Sequence, residues 1–148
     1  MKTDYFRKTI AILEDNDCRI SEMRSAIEKS LSTNRIVIFD AAPLMIDWLK
    51  QNIEIVALLS LDFDLPIKRN DDNELIDYGT GGDVAEFIAP YFPAFPILIH
   101  SSNPIGVVQM EQILNTHGWS TTRVYPYEDM AWIKSSWVFE VKKCLALD

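Results

Sequence analysis

The sequence predicts an α/β fold, a five-stranded parallel doubly wound sheet with the strand order 2-1-3-4-5. Short apolar runs alternate with amphipathic helical segments five times along the 148 residues. This alternation is typical of a parallel sheet with helices on both faces and right-handed crossovers. The third run, residues 55–61, is apolar apart from Ser60, as expected for a strand that is buried on both faces.

The predicted strands are short, and the third of them is central. They cover residues 9–13, 35–39, 55–61, 97–99 and 122–125. Pro66 follows the third strand and Pro126 the fifth, and proline ends a strand because it has no backbone N–H to donate. In this order the first and third strands are neighbours, and open α/β sheets bind ligands at the carboxyl ends of such strands.

The predicted helices rest on apolar residues spaced three or four apart. They cover residues 18–31, 41–52, 84–89, 105–116 and 128–145. Pro43 lies in the first turn of the second helix, where proline is well tolerated. Leu44, Trp48 and Leu49 of that helix are expected to face the sheet. The last helix carries a predicted buried stripe formed by Met130, Ile133, Trp137, Val141 and Leu145.

Two segments between the third and fourth strands are predicted to lie near the sheet edge. Residues 67–77 are mostly polar and indicate an exposed loop. Residues 79–83 form a glycine cluster that opens the third helix, and the backbone N–H groups of such a turn can bind an anion. This second signal is weak, because glycine-rich turns are common and this one lacks the lysine of a P-loop.

Length and composition indicate a single domain that spans residues 1–148. The net charge of −8 argues against a broad nucleic-acid-binding surface. Cys18 and Cys144 lie far apart and suggest no disulfide framework, so we expect reduced thiols and a cytoplasmic location. No apolar run reaches transmembrane length, and residues 1–8 are not typical of a signal peptide, so we expect no membrane contact.

Acidic side chains follow two strands that are predicted to be neighbours. Glu14 and Asp15 follow the first strand, and Asp62 and Asp64 follow the third. Carboxylates packed so closely must share a proton or a cation, because like charges repel. Oxygen ligands of this kind suit Mg²⁺ or Mn²⁺, so we predict a divalent metal held by Glu14, Asp15 and Asp62. The alternative is a set of four solvated acids at the ends of loops.

Polar side chains also follow the fourth predicted strand, which lies next to the third. They are His100, Ser101, Ser102 and Asn103. Hydroxyl, amide and imidazole groups can donate hydrogen bonds to phosphate oxygens, and histidine transfers protons near neutral pH. A single histidine at a strand end is more often structural. Its predicted position beside the acids is what favours a catalytic role for His100.

With these residues placed, the chain resembles the receiver domain of two-component response regulators over nearly its whole length. Glu14-Asp15 is similar to the receiver's acidic pair, Asp62 to its phospho-acceptor aspartate, and Ser101 to its serine or threonine position. The resemblance implies a flavodoxin-like fold. Receivers also carry a lysine that pairs with the phosphoryl group, and Tyr125 stands in its place before Pro126. This difference argues against ordinary aspartyl-phosphate switching.

Three segments resemble a narrower group, the cyclic-phosphate-processing receiver family. They are Leu-Ser-Leu-Asp-Phe-Asp-Leu at 59–65, Thr-Gly-Gly-Asp at 80–83 and His-Ser-Ser-Asn-Pro-Ile-Gly at 100–106. This resemblance implies action on the cyclic phosphates of nucleotides or RNA ends. The implied catalytic residues are Asp62, Asp64, His100, Ser101 and Asn103. The implied substrate-binding residues are Gly82, Asp83 and Ser102.

The sequence thus supports two hypotheses from different classes. In the first, the protein is a metal-dependent phosphoesterase that opens a cyclic phosphate, with Mg²⁺ or Mn²⁺ at Asp62 and Glu14 or Asp15, and with His100 as general acid or base. In the second, it is a non-catalytic receiver module that binds a protein partner through the last helix and the fifth strand. The last helix is also where we would expect a homodimer to form.

Overall fold

The central feature of the fold is a parallel sheet of five strands. The computed structural model describes residues 7–127 and 129–146. The strands of this sheet are β1 (Thr9–Leu13), β2 (Arg35–Phe39), β3 (Val56–Leu61), β6 (Ile97–Ile99) and β7 (Thr121–Arg123). Their order in space is β2-β1-β3-β6-β7, and all four pairings are parallel. The predicted fold class and strand order are confirmed.

Two short strands that lie between β3 and β6 in the chain form a separate hairpin. β4 (Lys68–Arg69) pairs in antiparallel fashion with β5 (Leu75–Ile76). The segment was predicted to be an exposed loop, and its charged residues are indeed exposed, but the prediction missed the hairpin. Local hydrogen bonds stabilise this hairpin, because the Asn70 side chain accepts from the backbone N–H groups of Asp72 and Glu74.

Five helices cover the sheet. They are α1 (Asp17–Ser30), α2 (Ala42–Asn52), α3 (Gly81–Ile88), α4 (Pro104–Thr116) and α5 (Val138–Leu145). The predicted last helix, 128–145, is divided in the structure. A π-helical turn at Ile133–Trp137 precedes α5, and Glu128 lies outside the described residues. Within the described residues, no helix combines the length and the hydrophobicity needed to span a membrane.

Each face of the sheet has its own apolar core. One core packs α2, α3 and α4 against the sheet, and the other packs α1, the π-helical turn and α5 against the opposite face. The predicted orientation of α2 is partly wrong. Leu44 is exposed, Trp48 is half-buried, and Met45 is buried together with Leu49. The helix buries Ala42, Met45 and Leu49, three positions on one face, and that stripe leaves Leu44 on the outside.

Candidate metal and phosphate site

Strand register brings three polar side chains together at the carboxyl edge of the sheet. Leu13 is paired with Leu61, and Leu61 with Ile99. The residues that follow these three, Glu14, Asp62 and His100, therefore lie side by side. All three are buried, and each offers a ligand atom within 4.8 Å of the others. Side chains alternate along a strand, so these three share the sheet face covered by α1 and α5.

His100 lies at the centre of a buried hydrogen-bond network. Its Nε2 donates to Oε1 of Glu14 at 3.2 Å, and its Nδ1 shares a 2.6 Å hydrogen bond with Oγ of Ser60. Trp137 Nε1 donates to the same Ser60 oxygen at 2.9 Å. The ring also stacks on Trp132, with 6.0 Å between the centroids. Neither the imidazole nor the Glu14 side chain has exposed surface, so His100 acts on the site through its hydrogen bond to Glu14.

The two buried acids respond differently to burial. Burial raises the pKa of Asp62 to about 6, because a carboxylate is poorly solvated there, and the neighbouring Glu14 charge adds to this effect. Burial also acts to raise the pKa of Glu14. The hydrogen bond and charge of His100, the backbone N–H of Asn16 and the charge of Arg19 outweigh that effect, so the pKa of Glu14 lies below its ordinary value.

Two cations approach the acids, and the sequence reasoning missed both. Arg19, in the first turns of α1, has Nη1 3.5 Å from Oε1 of Glu14 and 3.8 Å from Oδ2 of Asp62. Lys68, in the hairpin, has Nζ 3.4 Å from Oδ2 of Asp15. Asp15 is thus paired with a lysine rather than grouped with Glu14 and Asp62. Arg19 comes close to the acids because it lies in the first turn of α1, which begins shortly after Glu14 and Asp15.

Asp64 and Asn103 meet on the outer side of the site. Asn103 Nδ2 donates to the two carboxylate oxygens of Asp64 at 3.4 and 3.3 Å. The Asn103 side chain also accepts from the backbone N–H of Gly106 and so caps α4. Ser101 is buried and its Oγ accepts from the Asn103 backbone N–H, whereas Ser102 is exposed. Two of the three segments that resemble family motifs, residues 59–65 and 100–106, are therefore joined by a direct side-chain contact.

Gly82 and Asp83 have local structural contacts at the start of α3. Thr80 accepts from the backbone N–H of Gly82, and Asp83 accepts from the backbone N–H of Thr80, which completes a capping box. The preceding Gly81 lies against the backbone of Asp62, and its N–H donates to the Phe63 carbonyl at 3.0 Å. The start of α3 therefore holds the exit of β3 in place.

The donor set fits a divalent cation. Glu14 and Asp62 supply carboxylate oxygens at neighbouring strand ends. Asp15 follows Glu14 and is paired with Lys68, and both ring nitrogens of His100 are already hydrogen-bonded. Magnesium and manganese prefer oxygen ligands. The buried Asp62 carboxylate would be stabilised in its charged form by such a cation. The arrangement can therefore hold a metal at the sheet edge where Ser101 and Asn103 follow β6.

The sequence of this chain matches the model of one known protein family. The model of the family described as cyclic-phosphate processing receiver domain matches residues 9–116. The chain belongs to this receiver family. The match covers the acids after β1 and β3 and the polar residues after β6, and it confirms the family that the sequence motifs suggested. No curated protein matches the chain.

Solved structures confirm the receiver fold of this family member. The phosphorylated cyanobacterial phytochrome response regulator RcpA has a TM-score of 0.72 at 17% identity, with 96% of each chain covered. The Mn²⁺-bound response regulator Rcp1 has a TM-score of 0.67 at 16% identity, with 95% of this chain and 96% of that chain covered. The receiver domain of a LuxO repressor protein from Vibrio parahaemolyticus has a TM-score of 0.62 at 16% identity, with 93% and 92% covered.

Proposed function

We propose that this receiver is a metal-assisted phosphoesterase that opens the cyclic phosphates of nucleotides or RNA ends. The observation that carries the proposal is the buried group of Glu14, Asp62 and His100 at the carboxyl edge of the sheet. The family match to a cyclic-phosphate processing receiver supports the same chemistry. The substrate is therefore a phosphate-containing small molecule or an RNA end, and the acidic chain offers no broad surface for nucleic acid.

The cofactor of this proposal is Mg²⁺ or Mn²⁺ held by Asp62 with Glu14 or Asp15. A divalent cation supplies Lewis-acid stabilisation of the charge that develops on the phosphorus oxygens. The Mn²⁺ in the solved structure of Rcp1, a protein of the same fold, supports a divalent cation here. His100 orients Glu14 through a buried hydrogen bond, as the partners of metal-ligating side chains commonly do.

The remaining residues have proposed roles at the substrate. Opening the ring forms a bond from a water oxygen to phosphorus and breaks one bond from phosphorus to a ribose oxygen, which must accept a proton. His100 was expected to supply that proton directly. Because the ring is buried and the pKa of Glu14 lies below its ordinary value, neither group is placed as the acid. The proton that the attacking water loses would reach the ribose oxygen through solvent, and the role of His100 is to hold Glu14 in position. Other residues near this edge of the sheet would bind or orient the phosphate: Asp64, Gly82, Asp83, Ser101, Ser102 and Asn103.

The test is hydrolysis of 2′,3′-cyclic nucleotides and of RNA that ends in a cyclic phosphate, with Mg²⁺ or Mn²⁺ supplied. Loss of a residue that orients a metal ligand lowers activity by about 10–100-fold, and we expect this for His100→Ala. Asp62→Asn should lose hydrolysis together with metal binding. Ser101→Ala removes one neutral hydrogen-bond donor, so its loss should be smaller. Chelation by EDTA should abolish turnover in the wild type.

The second histidine provides a matched control. His117 is exposed at the end of α4 and contacts only a backbone carbonyl among the described residues, so His117→Ala should retain full activity. The mechanism is wrong if the wild-type protein turns over none of these substrates. It is also wrong if His100→Ala, shown to be folded by circular dichroism, is as active as the wild type.

A second candidate function is binding of a protein partner without catalysis. Tyr125 after β7 and Phe139 on α5 are large apolar side chains that are exposed to solvent. Aromatic residues are enriched in protein interfaces, and a homodimer through the last helix would cover Phe139. Light scattering of the purified protein and of Phe139→Ser tests this, because only a dimer that uses this face should dissociate in the variant.

A further inference from the structure

Three carboxylates at this site face two cations that belong to the chain itself. Arg19 lies next to Glu14 and Asp62, and Lys68 lies next to Asp15. The two cations are held differently. The Arg19 side chain is 24% exposed and lies over the Trp132 ring at 5.3 Å, whereas the Lys68 side chain is 48% exposed. Of the two, Lys68 is therefore the one that can change its partner at little cost.

The hairpin places Lys68 beside Asp15. Its turn is held by the Asn70 side chain, which accepts from two backbone N–H groups. The adjacent Arg69 donates to the Asn73 carbonyl of the same turn. Successive side chains of a strand point to opposite sides, so Arg69 stays with the turn while Lys68 points to Asp15. Within the described residues, Asp15 is the one ion-pair partner of Lys68.

We propose that Lys68 is the phosphate-binding cation of this site, held by Asp15 until a divalent metal displaces it. A divalent cation held by Asp15 would compete with the Lys68 ammonium group for that carboxylate. A phosphate at this site would then offer the flexible lysine side chain a new anionic partner. This inference rests on the proposed phosphate chemistry of the site and names a residue that recognises the substrate.

The proposal predicts that Lys68→Met changes two affinities in opposite directions. Without its competing cation, the protein should bind Mn²⁺ about two- to fivefold more tightly, the range for a partly exposed ion pair. With Mn²⁺ at saturation, inorganic phosphate should bind about tenfold more weakly, because a charged hydrogen bond is lost. Isothermal titration calorimetry measures both affinities, and neither measurement requires turnover. Lys68→Arg should keep phosphate binding near the wild-type value.

Lys50 offers a matched control, since it is an exposed lysine on α2 paired with Asp47 at 3.7 Å. Lys50→Met should change neither affinity. A loss of both affinities in Lys68→Met, or no change in phosphate binding, would overturn the proposal. A structural role would weaken both affinities together with thermal stability. If the wild type binds Mn²⁺ and phosphate as expected but hydrolyses no cyclic phosphate, the phosphoesterase proposal fails and the assignment of Lys68 stands.

Discussion

Asp62 is buried in the site, and its charged form lowers the stability of the folded protein. Its pKa is raised from 3.8 to about 6 in the folded protein, so the folded state holds a proton more tightly than the unfolded state. The stabilisation from this protonated group is complete below about pH 4 and is lost as the pH rises through about 6. At neutral pH the metal-free protein therefore carries a buried carboxylate that destabilises it.

We predict that Asp62→Asn raises the stability of the metal-free protein at pH 7.5 by up to about 3 kcal/mol, the equivalent of its pKa shift. Thermal unfolding in EDTA from pH 4 to 8 should show a difference from the wild type that opens between pH 4 and 6 and then stays constant. Asp47→Asn, at an exposed position, should show no such difference. A difference that is independent of pH would contradict the prediction.

The residues of the site were predictable to different extents. The acids and His100 follow apolar strands directly, so the fold class alone indicates that they meet. Ser60 was visible as the polar residue inside an apolar strand, two positions before Asp62, but its contact with Trp137 joins distant parts of the chain. Lys68 was beyond prediction, because its position depends on a hairpin that the sequence pattern did not indicate.

At the scale of elements, the start of α3 supports the site through close backbone contact. A Cβ atom on Gly81 would overlap the backbone carbonyl oxygen of Asp62, which cannot move without shifting the end of β3. On Gly82 the nearest atoms are the Thr80 hydroxyl at 3.2 Å and the Gln109 amide at 3.3 Å. These atoms belong to side chains that can move aside. Adjacent glycines of one helix should thus tolerate alanine very differently.

We predict that Gly81→Ala destabilises the protein by about 1–3 kcal/mol, as overpacking does, and weakens Mn²⁺ binding because Asp62 shifts. Gly82→Ala, the matched control, should lose far less stability, since alanine also favours the helix. Urea unfolding and Mn²⁺ titration measure the two effects. Equal losses in the two variants would show that α3 does not hold the end of β3 in this way.

The elements that the sequence predicted well are those set by long-range burial. β1, β2 and β6 have the predicted bounds, because short apolar runs in an α/β chain have little alternative to a central sheet. The hairpin and the π-helical turn were missed for another reason. Strands of two residues carry almost no periodic signal, and a π-helical turn differs from an α-helix in its hydrogen bonds rather than in its apolar pattern.

At the scale of the whole molecule, a chain of buried polar contacts crosses from the site to the last helical segment. It runs from Glu14 through His100 and Ser60 to Trp137. Buried polar groups are costly unless each is hydrogen-bonded, and within the described residues no buried side-chain nitrogen or oxygen lacks a partner. The acid at the site and the packing of the last helical segment are thus linked by direct contacts.

The whole molecule has the receiver fold, but a tyrosine rather than a lysine precedes Pro126 after β7. In receivers a lysine pairs there with the phosphoryl group, and here the exposed Tyr125 takes its place. A phosphoryl group on Asp62 would lack that charge-assisted hydrogen bond on the β6 and β7 side. Arg19 is already held by Glu14, and Lys68, which we assign to phosphate at the metal, comes from the hairpin next to Asp15 and so does not replace a lysine after β7.

We therefore predict that acetyl phosphate with Mg²⁺ leaves Asp62 unmodified, as measured by intact mass. Tyr125→Lys restores the missing cation, so this variant should accumulate more of the singly phosphorylated form than the wild type if the cation is what limits the reaction. A stable wild-type adduct that disappears in Asp62→Asn would restore the signalling interpretation of this receiver. If that adduct also disappears in Lys68→Met but persists in Lys50→Met, Lys68 provides from the hairpin the charge that receivers provide from strand five.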